Sequence, residues 1–194
     1  MADRDSHAPK SRAFVLRSCV ACVAVLVSVR IGAHPSAPPP GVTGGFGEDT
    51  CTKCHNTYAL NAGRSSGLGA LVVSGLPKEY QPGATYPVRV ELTHIQDHGV
   101  WGFELAARAK TGAQAGVLKP VDSHAQIVSE KGIQYVAHTA EGTFFNAFEF
   151  TWVAPTTSAG EVVVNVAGNA ADGDASPVGD YIYSASVTIP PASR

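Results

Sequence analysis

An all-β fold, an antiparallel β-sandwich preceded by an extension that carries a CxxCH run, is predicted by three observations. Apolar residues alternate with polar ones along run after run beyond residue 69, turn-forming clusters separate the runs, and no amphipathic pattern of helical length appears. Alternation of period two is what a half-buried strand requires, because successive side chains point to opposite faces.

The chain opens differently. Arg4, Lys10, Arg12 and Arg17 precede an apolar run from Ser18 to Val29, and Gly32 and Ala33 follow. Basic start, apolar centre and small residues are the order of a secretory signal, assigned to residues 1–33. The run is about a dozen residues, short of the roughly twenty that span a bilayer, so no integral span is expected in the mature chain. Ile31 is a mediocre residue three places before such a cut, and an uncleaved N-terminal anchor is the alternative. Removal of the signal takes Cys19, Cys22 and Met1, the sole methionine, and leaves Cys51 and Cys54. An exported chain, periplasmic or extracellular, is expected.

Residues 34–68 form the extension. HPSAPPPGVTGGFG, from His34 to Gly47, holds too much Pro and Gly for helix or strand and reads as a linker or wrapped arm. The Cys pair follows, and HNTYALNA, from His55 to Ala62, has the composition for one or two helical turns. The sandwich is assigned to residues 69–190. Its strands are expected at ALVVSG, at TYPVRVELTH with Tyr86, Val88, Val90 and Leu92 alternating, and at WGFELAAR with Phe103, Leu105 and Ala107. Others are Ala125 to Ser129, Ile133 to His138, FEFTWVAP with Phe148, Phe150 and Trp152, Glu161 to Ala167 and Asp180 to Ile189, about eight in all. QPGA, KTGAQAG, TTSAG and ADGDASPVGD supply the turns. The aromatics are assigned to the core by their alternation.

Cys51-Thr-Lys-Cys54-His55 carries the chemistry. Two thiols three positions apart can add across the two vinyl groups of a porphyrin while the next histidine turns under the iron, the pattern of c-type haem attachment. A zinc half-site would need two more ligands, and there is no second Cys pair. A thiol redox motif normally opens a helix within a βαβ unit, and none is visible. A structural disulfide is the remaining alternative. With haem c as cofactor, His55 is the proximal iron ligand. Methionine is excluded opposite it, because Met1 leaves with the signal. The other histidines of the mature chain are His34, His94, His98, His124 and His138, so the second position holds histidine, a weak ligand such as water, or nothing. His138 is the favoured distal ligand, then His98.

The chain has fourteen basic and sixteen acidic residues, net charge −2, and outside the N-terminus the Lys and Arg are scattered, so nucleic acid is not an expected partner. No Ser/His/Asp arrangement, phosphate-cradling loop or His-Glu-x-x-His helix occurs, and no catalytic residue is assigned. Asn169, Asp172, Asp174 and Asp180 offer oxygen ligands for calcium, although Asp/Gly runs are also ordinary turn chemistry.

GVTGGFGEDTCTKCHN, YQPGATYPVRV, WGFEL, AHT, FEFTWVAP, GNAADGD and GDYIY resemble the bacterial reeler-like choice-of-anchor V domain proteins, over about residues 40 to 184. Tyr80 to Tyr86 and Trp152 to Pro155 are the more specific of these features. The resemblance implies a reeler-like sandwich behind a haem-binding segment, and it points to His138, in AHT, as the histidine to test. Many members end in a sorting or anchoring segment, whereas this chain stops at Arg194 just after its last strand, so that route is not expected. Together the readings give an exported monohaem c-type cytochrome that passes single electrons to redox partner proteins. The alternatives are an extracellular reeler-type binding or adhesion module with a structural haem, and a haem sensor with an open distal site.

Overall fold

A computed structural model describes residues 36–96 and 98–193; the expected signal peptide and His34 lie outside the described residues. In chain order the strands are β1 (Gly69–Ser74), β2 (Thr85–His94), β3 (Val100–Ala109), β4 (Val117–Pro120), β5 (Ala125–Glu130), β6 (Ile133–His138), β7 (Ala147–Val153), β8 (Val162–Ala171) and β9 (Tyr181–Ile189). They form two antiparallel sheets, β1-β2-β7-β4 and β5-β6-β3-β8-β9, which is the expected sandwich.

The alternation read from the sequence sets the register. Tyr86 lies opposite Trp152, Val88 opposite Phe150 and Val90 opposite Phe148, so β2 and β7 present their apolar sets to the same face. Phe103, Phe148, Phe150 and Trp152 are fully buried, and Phe103 stacks on Phe148 across the sheets at 4.2 Å. Tyr86 is half-buried and stacks on Trp152 at 5.6 Å. The Trp152 indole N–H donates to Ala115 O at 2.9 Å, which removes the cost of burying it.

Two local expectations are corrected. β4, residues VLKP, is an additional strand that pairs with β7. With four residues and one fully buried side chain, Leu118, it is too short to show a period. The helix expected at residues 55–62 does not form. Cys51–Lys53 make a 3-10 turn, Asn61 takes a left-handed backbone at φ +62, and the short helix α1 covers Ala62–Ser65. Tertiary contacts override the local preference, because Asn61 is drawn onto β9. Its backbone N–H donates to Ile182 O at 2.8 Å, and its side chain makes two hydrogen bonds with Ser184, at 3.0 and 3.2 Å.

β3 is buried on both faces from Gly102 to Ala109. One face meets the other sheet. The other, bearing Glu104 and Arg108, is covered by the Pro/Gly segment and the residue after it, which thus form a wrapped arm. Glu104, 0% exposed, accepts the N–H groups of Gly41 (3.1 Å) and Val42 (2.6 Å) on Oε2. Arg108 pairs with Glu48 and donates to the Tyr135 hydroxyl at 2.6 Å, which in turn donates to Glu48 at 2.6 Å. Burial tends to raise the Glu48 carboxyl. Hydrogen bonds from Thr43, Tyr135 and Arg108, with the Arg108 charge, outweigh it and hold the group below its usual value.

Glu104 goes the other way. Burial pushes it up to about 7 from the usual 4.5, against the two backbone hydrogen bonds. A carboxyl raised on folding stabilises the fold while it stays protonated. Its contribution is complete below pH 4.5 and is lost as pH rises to about 7. The loss amounts to roughly 3 kcal/mol. Urea midpoints measured from pH 4.5 to 7.5 are expected to fall across this window in the natural protein and to stay much flatter in Glu104→Gln.

Candidate functional site

The Cys51–Lys53 turn is capped by Thr50, whose hydroxyl accepts the Thr52 N–H at 3.3 Å. The N–H groups of Cys54 and His55 both bond to Cys51 O, at 3.2 and 3.0 Å. This tight turn brings Cys51, Cys54 and His55 to the wall of one cavity of about 530 Å³, a size ordinary for a small-molecule or cofactor site. Gly102 and Phe103 of β3, His138 at the end of β6, Asn169 of β8 and Asp180 before β9 line the rest. Pro38, Pro39, Val42, Val100 and Trp101 make much of the wall apolar. Phe144, 75% exposed, also lines it.

Both imidazoles have partners at Nδ1. His55 Nδ1 lies 2.5 Å from Asp180 Oδ2, and Asn169 Nδ2 donates to the same oxygen at 3.2 Å. A carboxylate at that distance fixes the proton on Nδ1 and leaves Nε2 with the lone pair. His138 is 7% exposed, with Nδ1 3.1 Å from Phe103 N and 3.3 Å from Phe103 O. The ring can accept the N–H or, with its proton on Nδ1, donate to the carbonyl; the second form puts the lone pair on Nε2. Close approach is possible because residue 102 is glycine: a Cβ there would stand 3.0 Å from His138 Cε1.

The remaining described histidines point elsewhere. His98 Nε2 donates to Gly179 O at 3.2 Å, and its ring lies 4.3 Å from that of His94. His94 bonds to the Tyr183 hydroxyl at 2.6 Å, and His124 stacks on Phe145 at 3.8 Å. Among the described residues, His55 and His138 are thus the two histidines that line the cavity.

Both cysteines are free thiols. Burial, with the Glu104 charge, pushes the Cys51 thiol up to about 12. Among the described residues no three His, Cys, Asp or Glu side chains are grouped to hold a metal ion. Asp172 and Asp174 instead accept the N–H groups of Asp174 (3.1 Å) and Ser176 (2.7 Å), and ADGDASPVGD is turn chemistry.

A haem fits the donor set. Two thiols come from one turn, and two imidazoles, each with a partner for Nδ1, line a largely apolar cavity. Sequence reasoning missed the roles of Gly102, Asn169 and Asp180. Asp180 and Asn169 were candidates for calcium, and no spacing links either to His55, 125 residues from Asp180.

No family model matches the chain, and no curated protein sequence matches it. Among solved structures, it is similar to the human F-spondin reeler domain, with 20% identity and a TM-score of 0.47 over 64% of this chain and 89% of that one. A structure of the Reelin-N domain of F-spondin is similar at 21% identity and a TM-score of 0.48, covering 64% and 86%. A cohesin module from a Clostridium perfringens family 33 glycoside hydrolase is similar at 12% identity and a TM-score of 0.46, covering 66% and 98%.

Proposed function

We propose that this chain is an exported, reeler-like monohaem c-type cytochrome of the choice-of-anchor V kind, which passes single electrons between redox partner proteins. Cys51 and Cys54 tether the haem, His55 is its proximal ligand and His138 its distal ligand. One observation carries the reading: Cys51, Cys54, His55 and His138, from two distant parts of the chain, line a single cavity.

A bound haem supplies a reversible one-electron change at iron. Everything else falls to the protein. The thiols fix position, the apolar wall keeps water away, and Asp180 and Phe103 orient the two rings. Bis-histidine ligation implies a lower potential than the histidine/methionine pair. Export follows from residues 1–33, to the periplasm or beyond, and the described residues contain no helix long and apolar enough to cross a membrane.

The test is to produce the chain in a host with periplasmic haem-maturation machinery and record its spectra. Pigment retained on a denaturing gel, and lost in the Cys51→Ala/Cys54→Ala double variant, is the expected result; absence of pigment from the natural chain defeats the proposal. A low-spin spectrum indifferent to carbon monoxide is expected, turning high-spin and carbon monoxide-sensitive in His138→Ala. An unchanged spectrum in that variant removes His138 as ligand. A natural chain that is already high-spin points to the open-site sensor instead.

A further inference from the structure

We infer that Asp180 is a positioning residue for His55, fixing the Nδ1–H form of the ring and biasing an iron bound at Nε2 toward its oxidised state. The inference rests on the haem reading above and specifies how the protein would set the potential.

Asp180 is 1% exposed, and among the described residues no Lys or Arg forms an ion pair with it; its charge faces His55 at 2.5 Å. Two N–H groups converge on Oδ2, from His55 Nδ1 and from Asn169 Nδ2, and these two nitrogens are 3.3 Å apart. The other oxygen, Oδ1, is buried without a partner.

Docking the arm does not account for this arrangement. Glu104 and Arg108 already hold residues 41–48, Thr57 accepts the Gly179 N–H at 3.0 Å, and Asn61 ties the following turn to Ser184. A buried carboxylate with one oxygen unpartnered is a costly way to add one more contact, and a neutral pair would dock as well. The arrangement matches a different need. A carboxylate that accepts the Nδ1–H of a metal-bound imidazole fixes the ring's orientation and raises its basicity as a ligand. A more basic ligand with a negative charge behind it favours the more positive iron. Asn169 moderates the effect by drawing part of the carboxylate's charge to its own N–H.

The test is redox titration of the haem-loaded protein. Asp180→Asn keeps the size of the side chain and an acceptor for Nδ1–H but removes the charge. It is expected to shift the reduction equilibrium toward the reduced form by at least tenfold, about 59 mV for one electron, with haem content and His55 ligation retained. Asp174→Asn removes the same charge from the same loop and is expected to leave the potential unchanged. Equal shifts in the two variants overturn the inference, because a general loop charge would then explain both. Asn169→Ala leaves His55 as the sole donor on Asp180 Oδ2 and is expected to move the equilibrium in the opposite direction. A shift in the same sense as Asp180→Asn, or none, overturns the inference, and this variant decides alone if Asp180→Asn does not fold. A natural chain without haem defeats the functional reading; a haem-loaded chain indifferent to residue 180 defeats only this one.

Discussion

Replacing Arg108 with alanine is expected to cost about 3 to 5 kcal/mol of unfolding free energy, the usual cost of removing one member of a buried ion pair. Arg108 is 6% exposed and holds Glu48, Tyr135 and, through its guanidinium face, the Phe46 ring 5.3 Å away. The substitution leaves the Glu48 carboxylate with Thr43 and Tyr135 but without a counter-charge. Urea unfolding measures the loss, and limited proteolysis is expected to cut first within residues 36–50. Arg108→Met combined with Glu48→Leu is expected to recover most of the stability, since an apolar pair of similar volume leaves no charge stranded. If the double variant is as unstable as Arg108→Ala, the latch depends on geometry more than on charge.

Gly102→Val is the second large effect. Its Cβ would meet His138 at 3.0 Å from Cε1 and 3.2 Å from Nδ1, and the two methyl groups would extend further into the space the ring occupies. The imidazole has to shift, and its Nδ1 hydrogen bond with the Phe103 backbone is lost. Overpacking and the lost hydrogen bond together are expected to cost about 2 to 4 kcal/mol in denaturant unfolding. In the haem-loaded protein the same substitution is expected to reproduce the spectrum of His138→Ala, because it removes the ring from the cavity without altering residue 138. A low-spin spectrum identical to that of the natural protein would show that the ring keeps its place.

Much of the sandwich was legible because its chemistry is local. Tyr86, Val88, Val90 and Leu92 follow a two-residue period, and so do Phe148, Phe150 and Trp152; the strands form where those periods run. VLKP carried too few residues to show one. HNTYALNA misled for the opposite reason: its helical composition is real, but Asn61 gains more from β9 than a short helix would offer. At the site, the Cys51, Cys54 and His55 group is one contiguous motif and could be read directly. Asp180 could not be paired with His55, because only the folding of β9 beside the arm brings them together. Glu104 and Arg108 sit where alternation assigns them, facing away from the core, yet both are buried. Nothing in a strand's own period reveals that another segment will cover its second face.

That second cover bears on how the protein can be dissected. The Pro/Gly stretch looks like a seam, and a truncation starting at Gly69 would seem to free an intact sandwich. Such a fragment would lay bare Ala106, Ala137 and Ala167 and take from the Glu104 carboxyl the two backbone N–H groups it accepts. The place where the chain is easiest to cut in sequence is therefore one of the worst places to cut it in space, and an excised sandwich is expected to self-associate through the face it has lost the means to shield.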